Sequence, residues 1–160
     1  MTTLSTDQEE LLERRRRGFS EFVSEMQPAL EALGRAIWPH QTDLLMRDPV
    51  AALPRMEELL ANDELMAVPE EELSPLRVEI MFYIASLFMQ RYGGEWRIVE
   101  DVNSPWFARY VLSGFSKGAS PDSVIEPGAI MDTLTRSPAP RSLIAAIDAV
   151  DWQLSASRSR

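Results

Sequence analysis

Residues 74–96 read SPLRVEIMFYIASLFMQRYGGEW, and this stretch decides the fold. Ser74-Pro75 suits a helix start, because proline at the first helical position gives up a backbone donor that has no partner there anyway. Gly93 suits the stop, since glycine enters the left-handed conformation of a helix C-terminus without a Cβ penalty. On a helical wheel Leu76, Ile80, Ile84 and Leu87 take one side and Met81, Ala85, Phe88 and Tyr92 another. Only Glu79, Ser86 and Gln90 remain as a narrow polar strip. A helix apolar nearly all round belongs in the middle of a fold. Its uncharged run, Ile80–Gln90, is too short to span a bilayer.

After Gly93-Gly94 the apolar period changes from 3.6 to 2. Trp96 and Ile98 alternate with Arg97, and Trp106, Ala108, Tyr110 and Leu112 alternate with Phe107, Arg109 and Val111. This predicts an antiparallel pair, Glu95–Glu100 with Trp106–Leu112, turning through residues 101–105, and a third short strand at Ser123–Glu126. Pro127-Gly128 opens a short helix to Thr135. Ser142–Leu154 forms a last amphipathic helix with Leu143, Ile147 and Val150 inward, and Ser155–Arg160 is expected to fray. Trp96 and Trp106 are expected in the core, whereas Trp38 and Trp152, near element ends, suit either docking on the core or an interface anchor.

Working toward the N-terminus, Asp48-Pro49 reads as the cap and first position of a helix to Ala61, with Val50, Leu53, Met56 and Leu60 buried. Asn62–Glu72 reads as a polar connection. The first helix is expected to start at a Thr6-x-x-Glu9 capping box and to kink or break near Pro28, which lacks a backbone donor. Trp38-Pro39 ends it, because a residue before proline is pushed out of the helical region. The expectation is one α+β domain over residues 1–160, mostly helical, with a small two- or three-stranded antiparallel sheet packed on the central apolar helix. Within it, 1–73 form an acidic helical part, 74–154 a helix–hairpin–helix core and 155–160 a tail.

The segment Phe82–Trp96 resembles a family of small bacterial domains of unknown function, in which an apolar helix ends in Gly-Gly-x-Trp and leads into an acidic turn and a hairpin. The resemblance continues through Val124–Met131 and the last helix at Ser142, and so covers about residues 76–150. It implies a fold and brings no reaction or catalytic residue with it.

Composition narrows the function. The 160 residues include no cysteine, which excludes thiol catalysis, disulfide scaffolds and cysteine-ligated metals. The lone histidine, His40, excludes a multi-histidine metal site within the chain and reads as a turn residue. No phosphate-binding loop, dinucleotide fingerprint or nucleophile elbow occurs. Glu95, Glu100 and Asp101 are the only carboxylates placed to suggest a general acid–base pair, and solvated turn positions explain them as well. No catalytic residue, metal or cofactor is assigned.

A net charge of -9 argues against nucleic acid as a partner. The excess lies wholly in residues 1–80, whereas 81–160 balance. Arg14-Arg15-Arg16-Arg17 spreads around a helix and is offset by Glu10, Glu13 and Glu21 at i,i+4 spacing. No base lies between Arg55 and Arg77, so Glu64, Glu70, Glu71 and Glu72 are the candidate contacts for a basic partner. The expected function is a non-enzymatic cytoplasmic protein-interaction module, such as an immunity-type or adaptor protein. The alternatives are a structural homo-oligomer such as a dimer, or a small-ligand binder or enzyme with a pocket between the central helix and the hairpin. No membrane partner is expected.

Overall fold

A computed structural model describes residues 2–61 and 69–158. Its elements are α1 (Thr6–Ser24), α2 (Met26–Ile37), α3 (Leu44–Arg47), α4 (Leu53–Ala61), α5 (Glu70–Tyr92), β1 (Glu95–Ile98), β2 (Tyr110–Ser113), α6 (Pro127–Arg136) and α7 (Leu143–Arg158). The protein is a mostly helical α+β fold with a small antiparallel sheet. No described helix is long and apolar enough to cross a membrane.

Helix α5 is the centre, as its composition requires. Ile80 and every residue from Phe82 to Phe88 are buried, against α2 on one side and α6 on another. It begins five residues earlier than the proline at position 75 suggests. Pro69 precedes it, and Glu70, Glu71 and Glu72 occupy the first turn, where carboxylates complement the helix dipole. Pro75 forfeits one bond, to the Glu71 carbonyl, at an exposed end of the helix where water can replace it. Ser86, the buried member of the polar strip, donates its hydroxyl to the Tyr83 carbonyl at 2.7 Å. Gly93 closes the helix at φ 74°.

The break near Pro28 falls at Glu25, between α1 and α2. The first cap sits one residue upstream of Thr6. Ser5 Oγ accepts from Gln8 N at 3.3 Å, and Gln8 Oε1 accepts from Ser5 N at 2.8 Å, a capping box that Ser5-x-x-Gln8 satisfies as well as Thr6-x-x-Glu9 would. Gly34 lies where α2 meets the turn after it: a Cβ there would stand 2.3 Å from the Thr42 carbonyl oxygen. The helix expected from Asp48 starts only at Leu53. Asp48 Oδ1 instead caps a preceding turn by accepting from Ala51 N at 3.2 Å, and Val50 is exposed there while Leu53, Met56 and Leu60 are buried.

Strands β1 and β2 pair in the register Glu95↔Ser113 to Ile98↔Tyr110. The second strand is shorter than its alternation implies. Residues 101–109 form successive turns, with Ser104 N donating to Asp101 O at 3.0 Å and Arg109 N to Trp106 O at 3.0 Å. Ala108 takes a left-handed φ of 59° while its N–H still reaches Val99 O at 2.8 Å. Turn chemistry at Asn103-Ser104-Pro105 outweighs the period-2 pattern that follows it. The expected third strand is reduced to a single bridge, Leu112↔Ile125. An aromatic cluster ties α1 to α5 and the hairpin: the Phe22 ring lies 4.9 Å from Trp96, 5.1 Å from Phe82 and 4.4 Å from Tyr110. The tail also departs from expectation, because α7 continues through Ser155 to Arg158, held at Leu154, which is buried.

Candidate functional site

The bridge at Ile125 holds segment 123–126 against β2, and Pro127 then launches α6 directly from it. With α7 packed alongside α6, a groove of about 480 Å³ opens between the segment and the two helices. Val124, Ile125, Ile130, Val150 and Leu154 give it an aliphatic lining, Trp106 from the hairpin turn walls one end, and Ser123, Thr133 and Gln153 add polar points. Ala129 and Ala146 keep it wide. The rim is wet: Val124 is 40% exposed, and Ala149 is exposed as well.

One charged side chain lines the groove. Glu126 keeps its carboxylate 12% exposed and accepts from Arg109 Nη1 at 3.4 Å. That guanidinium also sits 5.8 Å from the centroid of the Trp106 ring, within cation–π range. The rim at Trp106 therefore carries a positive head over an aromatic face. Trp106 is half-buried here rather than part of the core, because the turn that carries it lies outside the sheet. On α7, Trp152 is 73% exposed.

The acidic residues have mostly local duties. Glu57 Oε2 accepts from Ile144 N at 2.9 Å and so caps α7. Glu58 pairs with Arg55 at 3.0 Å and Glu70 with Arg77 at 2.7 Å. Glu71 and Glu72 stand exposed in the first turn of α5, and Glu64 lies outside the described residues. The Arg14–Arg17 run pairs differently from its i,i+4 spacing: Arg16 meets Glu13 at 3.4 Å and Glu100 at 2.7 Å, and Arg15 lies 5.7 Å from the Tyr110 ring centroid.

The carboxylates that suggested acid–base work do not converge. Glu95 pairs with Arg97 at 2.7 Å, Glu100 with Arg16, and Asp101 accepts from Asn103 N at 3.0 Å. His40 is exposed in the turn after α2. Among the described residues no group of three or more His, Cys, Asp or Glu is placed to hold a metal ion.

One partly buried polar network joins α5 to α7. Asp151 accepts from the Arg91 guanidinium and, at 2.6 Å, from the Tyr92 hydroxyl. Burial first, then this hydrogen bond and the Asp151 charge, push the Tyr92 phenol up to about 12, against the opposing pull of Arg91. Tyr83 is raised further, by burial above all, and donates to the Pro49 carbonyl at 2.7 Å.

The groove itself escapes a reading by segment. Its lining comes from three separate stretches, each of which looks like an ordinary amphipathic face. Trp152, which falls off the Leu143–Ile147–Val150–Leu154 stripe, is exposed and does not line the groove. Fold and site together define a mostly helical α+β protein with an open apolar groove. Comparison with family models, with curated proteins and with solved structures returns no match.

Proposed function

We propose that the protein is a non-catalytic protein-interaction module whose working surface is the groove between segment 123–126, α6 and α7. The observation that carries this reading is the combination of an aliphatic lining with an exposed rim. A small-molecule site encloses most of its ligand, whereas an open groove leaves a small ligand wet and suits a protein segment that covers lining and rim together. The acidic excess of residues 1–80 then acts at longer range, steering a basic partner such as the effector of an immunity-type protein. The resemblance to bacterial domains of unknown function is compatible with such a role.

Because the chain has no cysteine, single-cysteine variants place a photoreactive label at one chosen site. A label at Ala149→Cys, on the rim, is expected to yield a defined protein adduct in extract of the native host, and one at Gln27→Cys on α2 none. An adduct from Glu71→Cys but not from Ala149→Cys would sink the groove reading and return the contact to the acidic start of α5.

A further inference from the structure

We propose that Met26 is an oxidation site, at which a hydroperoxide converts the thioether to a single sulfoxide epimer whose oxygen is held by the indole N–H of Trp96. Trp96 Nε1 donates to Met26 Sδ at 3.5 Å. Trp96 is 8% exposed, and a nearly buried indole N–H normally finds a strong acceptor. A thioether is a weak one, so the donor has more to give than sulfur takes. Met26 itself is half-buried, at the first position of α2 beside the break at Glu25. Among the described residues Met56 and Met131 are buried, while Met46, Met81 and Met89 are half-buried with no hydrogen bond to sulfur. Met26 alone joins access to a donor already aimed at its sulfur. The site shares no residue with the groove.

In the reaction a sulfur lone pair attacks the outer peroxide oxygen. The S–O bond forms as the O–O bond breaks, and sulfur gives up two electrons. The rest of the peroxide leaves as water or an alcohol, taking the proton of the transferred hydroxyl. Oxygen gains negative charge as it joins sulfur, and a donor already in place stabilises that charge. The two lone pairs of sulfur give opposite epimers, and only one of these puts oxygen where the Trp96 N–H points. Oxidation of a core methionine ordinarily disrupts packing, because it makes an apolar side chain polar. Here a strong acceptor replaces a weak one, and Phe22, whose ring lies 4.9 Å from that of Trp96, keeps the indole where it is. The oxidised side chain therefore sits at the joint of α1, α2 and β1 with the fold kept.

Limited treatment of the purified full chain with hydrogen peroxide, followed by peptide mass spectrometry, tests this. Met26 is expected to be oxidised about fivefold faster than Met46, Met81 or Met89, the worth of one hydrogen bond in the transition state. Of the two epimer-specific methionine sulfoxide reductases, one is expected to restore it and the other to leave it oxidised. The Trp96 indole proton, followed by NMR, is expected to move downfield as its bond passes from sulfur to oxygen. Trp96→Phe keeps a ring and loses the N–H. Checked for folding by circular dichroism, it is expected to slow Met26 oxidation about fivefold and to give both epimers. Met26 reacting no faster than the other half-buried methionines overturns the proposal. So does an even mixture of epimers in the wild type, or an indole signal that does not move. A folded Trp96→Phe protein that keeps either the rate or the single epimer overturns it too. If that variant does not fold, the epimer and NMR readouts on the wild type still decide.

Discussion

Gly34→Ala puts a methyl group where the chain has left no room. Two effects of opposite sign compete. In an unobstructed helix the change would stabilise by about 1 kcal/mol, because alanine is the better helix former and glycine loses more backbone freedom on folding. At position 34 the new Cβ would lie 2.3 Å from the Thr42 carbonyl oxygen, about 1 Å inside ordinary contact. The obstacle is backbone and cannot rotate away. The turn that carries it is tied at both ends, by Gln41 N to Trp38 O at 3.0 Å and Leu44 N to Gln41 O at 3.1 Å, and leads into Leu45, which is fully buried. Overpacking of this kind costs about 1–3 kcal/mol, and the unyielding obstacle places it at the upper end. The net expectation is a loss of about 1–2 kcal/mol. Gly18→Ala in α1 is the control, since its Cβ meets only the Tyr110 hydroxyl, at 3.1 Å, a side-chain atom that must shift a few tenths of an ångström against its bond to Arg15 O. The helix-propensity gain and the small shift of Tyr110 offset each other, so that variant is expected to stay within about 1 kcal/mol of the wild type. Urea unfolding with an unchanged slope reads both. A Gly34→Ala protein as stable as the wild type would refute the close approach of α2 to the 38–43 turn.

Three further outcomes follow from single contacts. Glu57→Ala removes the cap on α7 and is expected to cost about 1 kcal/mol, while Glu57→Gln, which keeps an acceptor oxygen for the Ile144 N–H, loses much less; equal losses would mean the bond carries nothing. Tyr83→Phe strands the Pro49 carbonyl in a buried site and is expected to cost about 1–3 kcal/mol by urea titration, against a near-zero change if the hydroxyl is idle. The third concerns alkaline pH. Unfolded Tyr92 releases its proton near 10 and the folded residue only near 12, so stability holds below pH 10 and falls as pH climbs between those values. Tyr92→Phe is expected to make that fall shallower, and a chemical-denaturation series across the window with an unchanged slope would count against a phenol raised by burial and by its bond to Asp151.

The central helix was legible because its information is local: an apolar circumference and a glycine stop need no knowledge of the rest of the chain. Its start was not, because Pro75 carries a strong local preference that burial of Leu73 overrides, extending the helix back through three glutamates. The hairpin was legible as two alternating runs. Its turn was not, since Trp106 and Ala108 keep the alternating pattern while turn bonds and a left-handed Ala108 take them out of the sheet. The acidic stretch read as free charge because sequence shows no bases inside it. The structure brings partners from outside, Arg77 from the next turns of α5 and the α7 N-terminus from across the chain. The groove depends on residues far apart in sequence, 106, 123–133 and 146–154, so no single segment announced it.

The Glu57 cap has a consequence for how this chain can be divided. Residues 76–150 contain the start of α7 but not the carboxylate that holds its first turn, nor α2, which packs on α5. A fragment cut at residue 76 would lose the α2 face that packs on α5 and the first turn of its own central helix. The acidic N-terminal half is therefore part of the cover over the central helix as well as the seat of the charge, and the chain is not divided at the point where its composition changes.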